Sequence, residues 1–130
     1  EPRSSLSILL VEDGFINREV AVGLLELKGH KVDIAENGLE ALKILEDQRF
    51  DVILMDLEMP ELDGVETTKE IRRREQSEGS RVPIIAMTAH AVQGYREQCL
   101  VAGMDEYITK PISPDELFAT IDAVVGAKSE

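Results

Sequence analysis

The sequence predicts an α/β domain in which five parallel strands form one sheet with helices on both faces. Three observations carry that expectation. Short aliphatic runs recur along the 130 residues, segments with helical spacing separate them, and the runs are continuous rather than alternating. Strands alternating with helices build parallel sheets, and a strand buried on both faces needs no polar side. A chain of 130 residues forms a single domain here, with its core over about residues 7–125. That length buries roughly two-thirds of the surface an unfolded chain exposes.

The elements follow in order. The first strand is Ile8-Leu9-Leu10-Val11, and Ile16, Val20, Leu24 and Leu27 then repeat at four and three, a helix. Val32-Asp33-Ile34-Ala35 is the second strand, and Leu39, Leu42 and Leu45 space out the second helix. Val52-Ile53-Leu54-Met55 is the third strand, ending on Asp56. The third helix carries Arg72-Arg73-Arg74, followed by Glu75 and Glu78, which reads as a solvated helix face. Val82 to Met87 is the fourth strand. The fourth helix contains Gly94, which costs roughly 1 kcal/mol against alanine and softens it, and stops at Gly103 in a left-handed turn. Tyr107-Ile108 is the last strand. Ser113-Pro114-Asp115-Glu116 then opens the last helix with a capping box, ahead of Leu117, Phe118, Ile121, Val124 and Val125 on one face. No repeat, linker or low-complexity stretch interrupts the pattern.

In open parallel sheets, ligands bind beyond the carboxyl ends of the strands where strand order reverses. The flavodoxin-like (βα)5 order 2-1-3-4-5 sets strands 1 and 3 side by side at that point. Strand 1 runs into Glu12-Asp13, strand 3 into Asp56, strand 4 into Thr88, and strand 5 into Lys110-Pro111. Each has a plainer reading alone: a solvated turn, a helix cap, a strand-end hydroxyl, a surface lysine. Their joint arrival at one sheet edge favours chemistry. Carboxylates about 4–5 Å apart repel by a few kcal/mol even at an effective dielectric near 20. The cluster therefore asks for a cation. Oxygen donors without His or Cys select a hard ion, Mg2+ first and Mn2+ as the alternative. With Lys110 and Thr88 facing it, the set matches a phosphoryl-transfer clamp, and a carboxylate can itself take up phosphate.

Composition bounds the rest. Fourteen basic against 26 acidic residues leave a net charge of -12, a field that repels nucleic acid and anionic membranes. The lone cysteine, Cys99, excludes an internal disulfide and suits a reducing compartment. No apolar run reaches spanning length, so the chain is expected in the cytoplasm, even where a parent protein is membrane-anchored. The isolated domain is expected to be monomeric.

Four motifs, LLVEDGFINREV, VILMDLEMPELDGVE, PIIAMTAHA and AGMDEYITKPI, resemble in this order the receiver domain of two-component signalling. The resemblance implies that Asp56 is phosphorylated. Asp13 and Asp56 would bind Mg2+ directly, Glu12 through metal-bound water, and Glu58 through its backbone carbonyl. Thr88, the Ala89 N–H and Lys110 would hold the phosphoryl group, Tyr107 would be an aromatic switch, and Pro111 would follow a cis peptide. Such a domain catalyses its own phosphorylation and dephosphorylation. Asn17-Arg18, MTAHA and CLVAGMDEYITKPI are most similar to receivers of hybrid sensor histidine kinases, whose partners are a histidine kinase or a histidine phosphotransfer domain. Gly14 departs from the asparagine usual there, which touches loop flexibility and the first helix's start. Glu58 adds an acid, and His90 is either a tuner of phosphate lifetime or an exposed first-turn residue. A stand-alone regulator, a binding-only pseudo-receiver and a haloacid-dehalogenase-like phosphatase are the alternatives. The pseudo-receiver usually lacks one of the acids or the lysine. The phosphatase needs an aspartate where Glu58 stands.

Overall fold

The computed structural model describes residues 5–57, 64–79, 81–89, 100 and 102–129, with side chains to residue 126. Its elements are β1 (Ser7–Val11), α1 (Phe15–Leu27), β2 (Lys31–Ala35), α2 (Gly38–Leu45), β3 (Val52–Asp56), α3 (Gly64–Glu78), β4 (Ile84–Thr88), β5 (Glu106–Thr109) and α4 (Pro114–Ser129). All strand pairs are parallel, in the order β2-β1-β3-β4-β5. The helix expected around Gly94, together with Glu58, His90 and Cys99, lies outside the described residues.

Side chains alternate between two apolar layers. Leu9, Val11, Ile53, Met55, Ile84 and Ala86 face Ala41, Leu42 and Ile71 of α2 and α3. Ile8, Leu10, Val52, Leu54, Ile85 and Met87 face Ala21 and Leu25 of α1 and Leu117 and Ile121 of α4. Burying each large aliphatic side chain contributes roughly 1.5–3 kcal/mol, so these layers are the main cohesive term. The continuous runs of β1, β3 and β4 are buried on both sides, whereas the edge strands β2 and β5 are half-exposed. Strand β4 begins at Ile84, two residues later than its aliphatic run suggests. Val82 instead donates its N–H to the Glu75 carboxylate, and the Pro83 carbonyl accepts from Ile53.

Two sequence readings need correction. The stripe that announces α1 is not the face it buries: Ile16 and Leu27 are 74% and 79% exposed, and Ala21 and Leu25 turn inward. The basic triplet also divides. Arg73 is solvated, but Arg72 is largely buried. It donates from Nε to the Gly103 carbonyl, from Nη1 to Glu75 and the Val82 carbonyl, and from Nη2 to Asp105. A buried guanidinium persists only with such partners.

Local signals account for the helix ends. Asn37 caps α2 by accepting the Glu40 N–H at 2.8 Å. Ser113 accepts the Glu116 N–H at the start of α4, at 3.5 Å. Gly103 adopts φ +112°, the left-handed conformation expected of it, and a Cβ there would meet Arg72 Cγ at 2.7 Å. No helix among the described residues is long and apolar enough to cross a membrane.

Candidate active site

The register of the sheet delivers the polar residues to one edge. β1 pairs with β3 through Val11 and Met55, so Glu12 and Asp56 emerge side by side. Alternation places both on the α1/α4 side of the sheet, and both are buried. Oxygens of Glu12, Asp13 and Asp56 all lie within 4.8 Å of one another. Lys110, one residue beyond β5, reaches back across β4: its Nζ donates to Asp56 Oδ1 at 2.8 Å and sits 3.6 Å from Glu12 Oε1. The Lys110–Pro111 peptide is cis, and the Lys110 N–H donates to the Thr88 carbonyl at 2.8 Å, tying the ends of β4 and β5.

Thr88 is buried at the end of β4, one residue past Met87, which pairs with Asp56, and Ala89 follows it exposed. Tyr107 is half-buried, pairs with Ala86, and packs against the α2/α3 layer. It therefore shares a sheet face with Ala86 and lies on the side opposite to Ile108. The structure thus gathers Glu12, Asp13, Asp56 and Lys110 into contact, with Thr88, Ala89 and Pro111 at adjoining chain ends.

Charge in this cluster is unbalanced. Three carboxylates meet one ammonium among the described residues, and Glu12 Oε1 is buried without accepting a hydrogen bond. Burial first, and then the Asp56 charge, push the Glu12 carboxyl up to about 7, against the opposing pull of Lys110 and the Gly14 N–H. A buried acceptor and surplus negative charge, all on oxygen, fit a hard divalent cation.

Two glycines shape the site, and sequence reasoning missed one. Gly64, the first residue of α3, packs so closely that a Cβ would stand 2.6 Å from the Asp56 carbonyl oxygen and 2.8 Å from Leu57 Cδ2. In the sequence it is only a glycine eight positions past the end of β3, with no periodicity to mark it. Gly14 is the N-cap of α1 at φ -80°, ψ 124°, a conformation open to any residue. A positive φ is therefore not what requires glycine here. Its N–H donates to Glu12 Oε2 at 3.1 Å, and a Cβ there would lie 3.0 Å from that oxygen. Gly14 leaves room for the Glu12 carboxylate.

The profile of the response regulator receiver domain matches residues 8–122. The chain belongs to the response regulator receiver domain family. This receiver domain is 42% identical over 135 residues to probable histidine kinase 1 of Oryza sativa subsp. indica, covering 82% of the present chain and 14% of that protein. It is 40% identical over 123 residues to hybrid signal transduction histidine kinase I of Dictyostelium discoideum, covering 91% of this chain and 7% of that one. The receiver therefore spans a small fraction of these relatives. Among solved structures it matches the receiver domain of the sensor histidine kinase PA1611 from Pseudomonas aeruginosa PAO1, which has a magnesium ion coordinated in its active-site cleft. That match has a TM-score of 0.84 and 44% identity, over 95% of this chain and 99% of the other. A second match, with a TM-score of 0.86 and 32% identity over 91% and 87% of the two chains, is to the co-crystal structure of the Saccharomyces cerevisiae histidine phosphotransfer protein Ypd1 and the receiver domain of Ssk1.

Proposed function

We propose that this receiver takes a phosphoryl group from a phosphohistidine onto Asp56, within a cytoplasmic phosphorelay, as one unit covering about residues 7–125. The observation that carries this reading is the Lys110 ammonium 2.8 Å from a buried Asp56 carboxylate flanked by Glu12 and Asp13. Asp13, Asp56 and the Glu58 carbonyl would hold Mg2+, or Mn2+ in its place, with Glu12 acting through bound water. The bound ion supplies positive charge against the phosphoryl oxygens. An Asp56 oxygen attacks phosphorus in line, an O–P bond forms, and the P–N bond breaks with its electron pair returning to the imidazole. Lys110 moves from Asp56 toward the transferring oxygens, and the Thr88 hydroxyl and Ala89 N–H then hold them. Tyr107 would turn inward as the end of β4 closes, biasing an equilibrium already present in the domain.

The donor would be a histidine kinase or a histidine phosphotransfer domain, and the parent chain a hybrid histidine kinase. Phe15, Ile16 and Val20 stand exposed on α1, which begins two residues after Asp13. That apolar face beside the acceptor suits a helical donor. Intact mass after incubation with Mg2+ and acetyl phosphate tests the acceptor: one phosphoryl adduct is expected, absent from Asp56→Asn. No adduct on the unaltered chain sinks the proposal. Ile16→Glu tests the docking face. It should slow transfer from a phosphorylated phosphotransfer protein about tenfold or more, as a lost hot spot does, yet leave labelling by acetyl phosphate unchanged.

A further inference from the structure

At the opposite edge of the sheet, the C-terminal halves of α2 and α3 part to form a groove of about 650 Å³. Strand β3 separates it from Asp56 by roughly 16 Å, the rise of five extended residues. Its floor includes Leu45, Phe50 and Val82, all only partly buried by the core beneath. Four arginines and three glutamates line it, in a chain whose net charge is -12. Guanidinium groups here surround apolar side chains that the core only partly covers.

The arginines are held to different degrees. Arg74 is fixed by Glu70 and the Leu42 carbonyl, and Arg73 is paired through two nitrogens with Glu70. Arg49 and Arg81 are looser. Arg49 uses one nitrogen, Nη1, on Glu78 at 3.0 Å, and Arg81 uses one, Nη2, on Asp105 at 2.6 Å. Their side chains are 77% and 56% exposed. A guanidinium has five N–H donors, so each keeps donors for a second anion. The Arg49–Glu78 pair is itself exposed, and such pairs contribute roughly 0–1 kcal/mol, so an incoming anion displaces Glu78 at little cost.

We propose that this groove is a binding site for a small amphiphilic anion. The apolar body lies on Leu45, Phe50 and Val82, and a carboxylate, sulfonate or phosphate head is bound by Arg49 and Arg81. The volume lies within the range of small-molecule sites, and the charged rim around an apolar floor favours a ligand with both an apolar body and an anionic head. The proposal is independent of the chemistry at Asp56.

The test titrates the domain with two probes of similar shape, anilinonaphthalene sulfonate and its uncharged analogue phenylnaphthylamine. Fluorescence gives affinity, and backbone amide shifts give location. The sulfonate should bind saturably, with shifts centred on Leu45, Phe50 and Val82, and at least about tenfold tighter than the amine, about 1.4 kcal/mol. Arg49→Glu combined with Arg81→Gln should remove that advantage and leave the amine unchanged. Phe50→Lys should weaken both probes, with thermal unfolding reporting that each variant is folded. Shifts centred on Phe15 and Ile16, equal affinities for the two probes, or a sulfonate affinity that survives the double arginine change would overturn the proposal.

Discussion

Beyond the end of β3, Glu12, Asp13 and Asp56 share one ammonium, Lys110. Near the start of β4, Arg72 and Arg81 share two carboxylates, Glu75 and Asp105. In the second group every charge is matched, and spare acceptor capacity goes to the backbone: Val82 N–H to Glu75 and Ile84 N–H to Asp105, both at 2.8 Å. In the first group a buried Glu12 oxygen accepts nothing and one carboxyl is pushed toward neutrality. Arg72, Glu75 and Asp105 join α3 to the segment leading into β5 and belong to the scaffold, with Arg81 at the exposed rim of the group. The unmatched group is left ready for a ligand. Charge balance therefore separates the two roles where residue type alone does not.

The largest effect that tests this contrast is on the scaffold. Arg72→Ala takes one partner from each of two carboxylates and two carbonyls, and removing one partner from a largely buried pair costs about 3 kcal/mol. Urea unfolding should show that loss while the folded fraction still takes phosphate from acetyl phosphate. A loss of labelling in folded protein would make Arg72 part of the site.

The acidic group should respond to pH in the reverse sense to a satisfied carboxylate. With its pKa raised from 4.5 to about 7, Glu12 keeps its proton in the folded chain after the unfolded chain has lost it. Without added metal, stability should therefore fall as pH rises from 4.5 to 7, by at most about 3 kcal/mol, and level off above. Glu12→Gln should flatten that slope, as should saturating Mg2+, which binds the charged form. Stability that rises over the same range would contradict the assignment. The smallest effect is expected of Arg81→Ala. Its contact with Asp105 is solvent-exposed, so the change in unfolding free energy should stay within about 1 kcal/mol.

The strands and the gathering of acids beyond them were legible because strand ends are local signals, while the order 2-1-3-4-5 followed from the common arrangement of five parallel strands. An aliphatic run that stops on a carboxylate, as Met55 does before Asp56, gives both the strand and the edge where the acids gather. Lys110 was legible for the same reason. Arg72 was not, because a basic triplet looks alike whether its first member faces water or the Gly103 carbonyl; only the packing of α3 against residues 103–105 decides. The stripe of α1 located the helix but not its buried face, because Ala21 weighs little in an apolar pattern although it is fully buried. Gly64 lacked a signal in periodicity, since its role is a contact with the Asp56 backbone.

The outward stripe of α1 also governs how the isolated domain behaves in concentrated solution. Phe15, Ile16, Val20 and Leu27 present apolar surface to solvent, while a net charge of -12 keeps neighbouring molecules apart. That repulsion reaches about 10 Å at 0.1 M salt and about 3 Å at 1 M. Raising the salt shortens that repulsion and leaves the apolar contact intact, so self-association of this acidic domain should increase with ionic strength. Low ionic strength is its dispersing condition.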